Sequence, residues 1–289
     1  MSFSIAHLGP AGTYAEQAAL AYAQWWSDQT QQPLPQLKPY ASMAQTLHAA
    51  DRGETEMAIV PVENSIEGGV TTTLDTLWQA EQLEIRQALV LPIVHVLVTP
   101  ATDLASLQMV YSHPQPLGQC QQWLSRNLPH SQLIPTHSTT DALQYIGTDV
   151  SVAAIASERA AHLYHLHILA SAIQDYPDNC TRFLVLTQPD APIAVPFVSQ
   201  ATVHTSLAFS LQRNVPGSLV TPLQIFADRH INLSRIESRP AKRSLGDYVF
   251  FIDAEADLAT EPMQDAIALL RQHTETLNIF GTYRTIQVS

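Results

Sequence analysis

The chain has 289 residues, 46% of them hydrophobic, with 14 Lys and Arg against 26 Asp and Glu and a formal net charge of −12. That shortage of cations argues against a nucleic-acid-binding surface and against docking on an anionic membrane, both of which need clustered Lys and Arg. The longest nearly uncharged apolar stretch, Ala88 to Val98, holds Pro92 and His95 and falls well short of the ~20 residues of a spanning helix.

In chain order, Phe3 to Leu8 reads as a strand and Thr13 to Trp26 as an Ala-rich helix, in which Trp25 and Trp26 serve packing. The Pro- and Gln-rich Thr30 to Pro39 reads as a surface loop. Met57 to Val60 is strand-like, and a helix follows from about Thr71 to Gln79. Ala88 to Val98 holds one or two strands, Gln108 to Tyr111 another, and a helix opens at Pro114, where proline is well tolerated. Val152 to Ile155 and Phe183 to Leu186 complete an alternating pattern that predicts two parallel α/β sheets with a cleft between them.

The composition breaks at residues 188–200, where three prolines within eight residues suit a semi-rigid connector. Charge breaks there too. Residues 1–199 carry 6 basic and 17 acidic side chains, whereas residues 200–289 carry 8 and 9. The expected division is 1–188, a linker 189–200, and a second unit 201–289. In that unit Thr202 to Leu211, Ile231 to Ser238, Tyr248 to Ala254 and Ile279 to Val288 read as strands. Ser218 to Arg229 and Met263 to His273 read as helices, giving a ferredoxin-like βαββαβ order.

Candidate chemistry sits at strand-to-helix turns of the first unit: Gly9 to Tyr14, Glu63 to Gly69, Ser112 to Gln115, and Ser138 to Asp141. Their small or amide side chains cap helices, and free N–H groups at helix starts accept anions without a cation. Arg182 stands between a polar loop and an apolar strand. It reads either as the partner of a buried carboxylate or as a fork for a ligand carboxylate. His113 reads as a residue that positions its turn, with a general acid as the rival role. Glu63 and Glu67 read as outer or solvent-facing carboxylates, Cys180 as a packing thiol, and His162, His165 and His167 as a polar helix end.

Several motifs together resemble the prephenate dehydratases with a C-terminal ACT regulatory domain. They are Gly-Pro-Ala-Gly-Thr-Tyr at 9–14, Val-Pro-Val-Glu-Asn-Ser at 60–65, Ser-His-Pro-Gln at 112–115 with Gln119-Cys120, and Asn179 with Thr181-Arg182-Phe183. In the second unit they are Pro216 to Val220 and Glu237-Ser238-Arg239-Pro240. Ser218 and Pro116 depart from the family pattern, as does Ala15.

The resemblance implies a two-lobed, type II periplasmic-binding-protein-like α/β catalytic domain with its site in the cleft. It implies the conversion of prephenate to phenylpyruvate, water and carbon dioxide in phenylalanine biosynthesis, with no cofactor and no metal. By motif match, Thr181 is the catalytic hydroxyl, and Thr13, Asn64, Ser65, Ser112, Gln115, Arg182 and Phe183 bind substrate. The implied effector is L-phenylalanine, bound between ACT domains of a homodimer or tetramer through Gly217, Ser218, Leu219, Val220, Glu237, Ser238, Arg239 and Pro240. Arogenate dehydratase is the nearest alternative activity, and a non-enzymatic amino-acid sensor a more distant one. The expected setting is the cytoplasm: Cys120 and Cys180 make no disulfide framework, and Met-Ser-Phe-Ser-Ile lacks the basic start of a signal peptide.

Overall fold

A computed structural model describes residues 3–196, 198 and 201–288. Strand β1 (Ser4–Leu8) leads into helix α1 (Tyr14–Thr30), edge strand β2 (Gln36–Tyr40), α2 (Met43–Asp51) and β3 (Met57–Asn64). A two-residue β4 (Gly68–Gly69), α3 (Thr71–Gln79) and β5 (Glu84–Pro92) follow. The chain then enters a second lobe through β6 (His95–Val98), β7 (Met109–Ser112), α4 (Pro114–Gln119), α5 (Gln121–Asn127) and β8 (Gln132–Pro135). That lobe continues with α6 (Thr139–Ala142), β9 (Val152–Ser157), α7 (Glu158–Leu163) and β10 (Ile168–Ala170), and β11 (Cys180–Thr187) returns to the first lobe. The C-terminal unit is β12 (Val203–Leu211), α8 (Val220–Ala227), β13 (Leu233–Pro240), β14 (Tyr248–Ala254), α9 (Glu261–His273) and β15 (Thr274–Gln287), in βαββαβ order.

Two lobes are present, but their sheets are mixed rather than parallel. In the second lobe β7 lies parallel to β8 and β9, while β6 runs antiparallel to both β9 and β10. In the first lobe β1 is parallel to β2 and β3, whereas β11 is antiparallel to both β3 and β5. The reversal arises because the chain crosses to the second lobe after β5 and returns along β11. The stretch expected as a loop at Thr30–Pro39 contains β2. Its Pro39 is tolerated because β2 is the last strand of the sheet and has an unpaired edge.

The first-lobe sheet does not stop at β5. Residues Thr285–Gln287 of β15 pair in parallel with Ala88–Val90, so one sheet runs from β13 through β14, β12, β15, β5, β11, β3 and β1 to β2. The expected linker has no helix or strand among its described residues, and Phe197, Ser199 and Gln200 lie outside them. Alternation divides the side chains of the C-terminal sheet. Leu207, Phe209, Ile252 and Ala254 pack with Ile225, Phe226, Met263 and Ile267 of the two helices. Ala208, Val249, Phe251 and Tyr283 pack instead with Val60, Val62, Leu74 and Leu77 of the first lobe. This apolar seam is continuous across the two units.

Candidate active site

Between the two lobes lies a cleft of about 330 Å³. Its walls carry Thr13 and Tyr14 at the start of α1, and Asn64 at the end of β3. His95 of β6, Gln115 and Gln119 of α4, and Thr181 and Phe183 of β11 add to this lining, and His113, His137, Ser138 and Thr139 complete its polar part from the second lobe. Leu8, Pro61, Val70 and Ile93 add apolar surface, and no Asp, Glu, Lys or Arg is among the described lining residues.

Thr181 is 8% exposed, and its hydroxyl is held by an amide whose orientation is determined. Asn64 Oδ1 accepts from the backbone N–H groups of Ile66 (3.0 Å) and Glu67 (3.1 Å). Asn64 Nδ2 must therefore be the end that faces Thr181, and it donates to Thr181 Oγ1 at 3.0 Å, to Asn179 Oδ1 at 2.9 Å and to the Cys180 carbonyl at 3.1 Å. Thr181 thus accepts a hydrogen bond from Asn64, and its own hydroxyl proton is left to donate elsewhere.

The chain of amides continues. Asn179 Nδ2 donates to Gln119 Oε1 at 3.0 Å, and His95 Nε2 lies 2.8 Å from the same oxygen. Because an amide oxygen only accepts, His95 carries its proton on Nε2. His95 is 1% exposed, and burial lowers its pKa, against which the Gln119 bond works only in part. Tyr14 closes the chain: its hydroxyl donates to the Val94 carbonyl at 2.6 Å and lies 3.4 Å from His95 Nδ1. The sequence reading noticed His95 only as a polar interruption in an apolar run. The available signal was a histidine on a strand whose other residues, Val96, Leu97 and Val98, are fully buried.

Thr13, Asn64, Gln115, Thr181 and Phe183 line the cleft as expected from their motifs, whereas three others do not. Ser112 is fully buried and donates to the Ile155 carbonyl at 2.8 Å, tying β7 to β9. Ser65 is exposed, and its Oγ accepts the Cys180 N–H at 3.0 Å. Arg182 is on the opposite face of β11 from the cleft. There its guanidinium pairs with Glu63 and lies 3.8 Å from Asp253 of β14. The strand had been expected to begin at Phe183. It begins at Cys180, so alternation sends Thr181 and Phe183 to the cleft and Arg182 away from it. Of the two readings of Arg182, the geometry is that of the ion pair.

His113 caps α4 by accepting the Gln115 N–H at 3.3 Å, and burial lowers its pKa. Glu67 is exposed near Gln119, while His162, His165 and His167 are exposed around the end of α7. In the C-terminal unit Gly217 takes a positive φ of 88° before α8, a conformation glycine adopts without strain. Ser218 Oγ accepts the Val215 N–H, and Val220 is 62% exposed. Among the described residues, the ion pairs of Glu237 and Arg239 go to partners other than Gly217–Val220. Arg239 forms a bidentate pair with Asp75 of α3, and Glu237 presses against Gly69 so closely that a Cβ there would overlap it. Ser238 and Pro240 are exposed on the edge strand β13.

A family model described as prephenate dehydratase matches residues 5–191, and one described as the ACT domain matches residues 205–268. The chain belongs to the prephenate dehydratase family. It is 36% identical over 279 residues to a bifunctional chorismate mutase/prephenate dehydratase of Aquifex aeolicus, spanning 96% of this chain and 73% of that protein. It is 35% identical to the prephenate dehydratase of Amycolatopsis methanolica, spanning 96% and 88%. The crystal structure of prephenate dehydratase in complex with L-Phe from Arthrobacter aurescens superimposes with a TM-score of 0.84 at 34% identity, covering 97% of this chain and 90% of that one. No helix of the described residues is long and apolar enough to cross a membrane.

Proposed function

We propose that this cleft removes water and carbon dioxide from prephenate to give phenylpyruvate, with Thr181 donating a hydrogen bond to the departing hydroxyl. The observation that carries this reading is the Asn64–Thr181 hydrogen bond. Its polarity reserves the one Thr181 proton for a ligand. A threonine hydroxyl is too weak an acid to protonate the ring hydroxyl ahead of bond cleavage. It is suited to donating a hydrogen bond as negative charge develops on that oxygen. The energy of aromatisation is already in the substrate, so no electron sink is required of the protein.

Prephenate is a dianion, and no arginine is among the described residues that line the cleft. Neutral polar groups line the cavity: Gln115, Ser138 and Thr139, together with the start of the seventeen-residue α1, where the Thr13 hydroxyl is itself committed to the Leu8 and Pro10 carbonyls. Phe183, Ile93 and Leu8 give the cavity apolar surface. A ring carboxylate seated there loses hydration, which favours its departure as carbon dioxide. Ser65, Ser112 and Arg182 act on this site through the positions of β3, β7 and β11.

Feedback by L-phenylalanine through the C-terminal unit belongs to the same proposal, as does a homodimer or tetramer joined there, in the cytoplasm. Supporting it are the open edge of β13, where Ile236 is 49% exposed, and the exposed Val220 beside the Gly217 turn. An effector there would draw Gly217–Val220 and Glu237–Pro240 from different subunits, since within one chain Glu237 and Arg239 pair with other partners.

The test is phenylpyruvate release by the purified chain. Prephenate turnover that exceeds arogenate turnover in direct competition supports the proposal. Turnover of arogenate alone favours the arogenate dehydratase reading, and binding without turnover of either favours a sensor.

A further inference from the structure

Strand β3 carries a fault in its alternation next to the cleft. Phe183 of β11 pairs with Pro61, but Arg182 pairs with Glu63, so Val62 is an extra residue. Proline has no N–H to give the ladder, which makes this a natural place for a bulge. The consequence is a change of parity. Met57, Ile59 and Pro61 face α1 and the cleft, while Ala58, Val60 and Val62 face the C-terminal unit. After the bulge Glu63 faces the same way as Val62, and Asn64 comes round to the cleft. Without the extra residue, Asn64 would point away from Thr181.

The residue at this fault is held from the far side. Glu63 accepts from Arg182, and Arg182 lies 3.8 Å from Asp253 on β14. Asp253 is 2% exposed and also accepts from Arg235 Nε at 2.7 Å, and Arg235 in turn lies 3.5 Å from Glu237. Burial alone would raise the Asp253 carboxyl, but Arg235 and Arg182 outweigh it and hold it below the usual carboxylate range. It is therefore a charge at neutral pH.

We propose that Asp253 of the C-terminal unit is a positioning residue for the reaction. Through Arg182 it pins Glu63 on the bulge, and so sets the Asn64–Thr181 hydrogen bond on the opposite face. The C-terminal unit then acts on the cleft without touching it. This rests on the cleft being the site of prephenate turnover, and a wild-type chain without turnover defeats that reading rather than this one.

The experiment compares full-length wild type, Asp253→Asn and Asp253→Glu in steady-state prephenate turnover, with thermal unfolding in parallel. Asp253→Asn is expected to lower kcat about tenfold with KM changed less than twofold, because the hydroxyl is misplaced and not the binding walls. Asp253→Glu, which keeps the charge, is expected to restore most of kcat. An Asp253→Asn chain that unfolds like wild type and keeps kcat within twofold overturns the proposal. Should Asp253→Asn fail to fold, the triple variant Arg182→Met, Arg235→Met and Asp253→Leu replaces the buried charges by apolar volume. A folded triple variant with reduced kcat supports the proposal, and one with wild-type kcat overturns it.

Discussion

The two faces of β3 and β11 are built from opposite materials. On the cleft face, Asn64, Thr181 and Phe183 belong to a lining without a charged side chain among its described residues. On the face toward the C-terminal unit, Glu63, Arg182, Asp253, Arg235 and Glu237 lie within one connected set of ion pairs. A neutral cleft of oriented donors can take a dianion without having to displace a resident counter-ion. Buried charges are a poor source of net stability, because desolvation offsets their attraction. They are, however, intolerant of losing a partner, and this suits a contact that must keep one geometry. The contrast therefore separates rate on one face from registry on the other.

The largest effect expected is on stability, at the charged face. Arg235→Met removes the closest partner of Asp253 and should cost on the order of 3–5 kcal/mol in chemical denaturation. A loss under 1 kcal/mol would mean that the seam is wetter or looser than its burial indicates. Next is Thr181→Ala on the cleft face. It should lower kcat by ~10²–10³-fold, the usual cost of one transition-state donor, while the melting transition stays near that of wild type. Near-normal kcat would remove Thr181 from its role and with it the division of labour between the faces.

His95 sharpens the comparison from the cleft side. Replacing it with Leu leaves Gln119 without one of its bonds and should cost about 1–3 kcal/mol. Because burial depresses the pKa of His95 in the folded state, the unfolded chain binds the proton more readily. Its stabilising contribution is complete above the unfolded value near ~6.5 and is lost as pH falls below it. Stability curves from pH 8 to pH 5 should be flatter for His95→Gln than for wild type. Equal slopes would contradict this.

The smallest effect is at the rim of the seam. Burial raises the Asp75 carboxyl, but Arg239 and Lys242 outweigh it and hold its pKa below the usual value. The contribution of this pair is present above an unfolded pKa of ~3.9 and fades as pH falls through the lower folded value. Since the three side chains are partly exposed, Asp75→Asn should cost only about 1 kcal/mol, and less in high salt. A salt-independent loss of several kcal/mol would place this pair with the buried set instead.

Much of the site was legible because its motifs are local. Gly9 to Tyr14 ends a strand and opens a helix, and Thr13 caps that helix by accepting the Glu16 N–H. Thr181 and Phe183, named from their motif, both reach the cleft because they share the parity of one strand. Ser65 and Ser112 were misread because hydroxyls at such turns serve a backbone group as readily as a ligand. Here they meet Cys180 and Ile155. His95 and Gln119 became a pair only through folding, since 24 residues separate them along the chain.

Composition and periodicity alone determined that this is an α/β chain followed by a βαββαβ unit, and the short motifs shared with the family named candidate site residues, most of which line the cleft. Those properties are local, so short windows of sequence report them. Which way Arg182 faces, how Asn64 reaches Thr181, and that β15 joins β5 to make the sheet continuous were decided by the tertiary structure. A single extra residue opposite β11 reverses the parity of everything after it, and only the partner strand reveals where that residue lies.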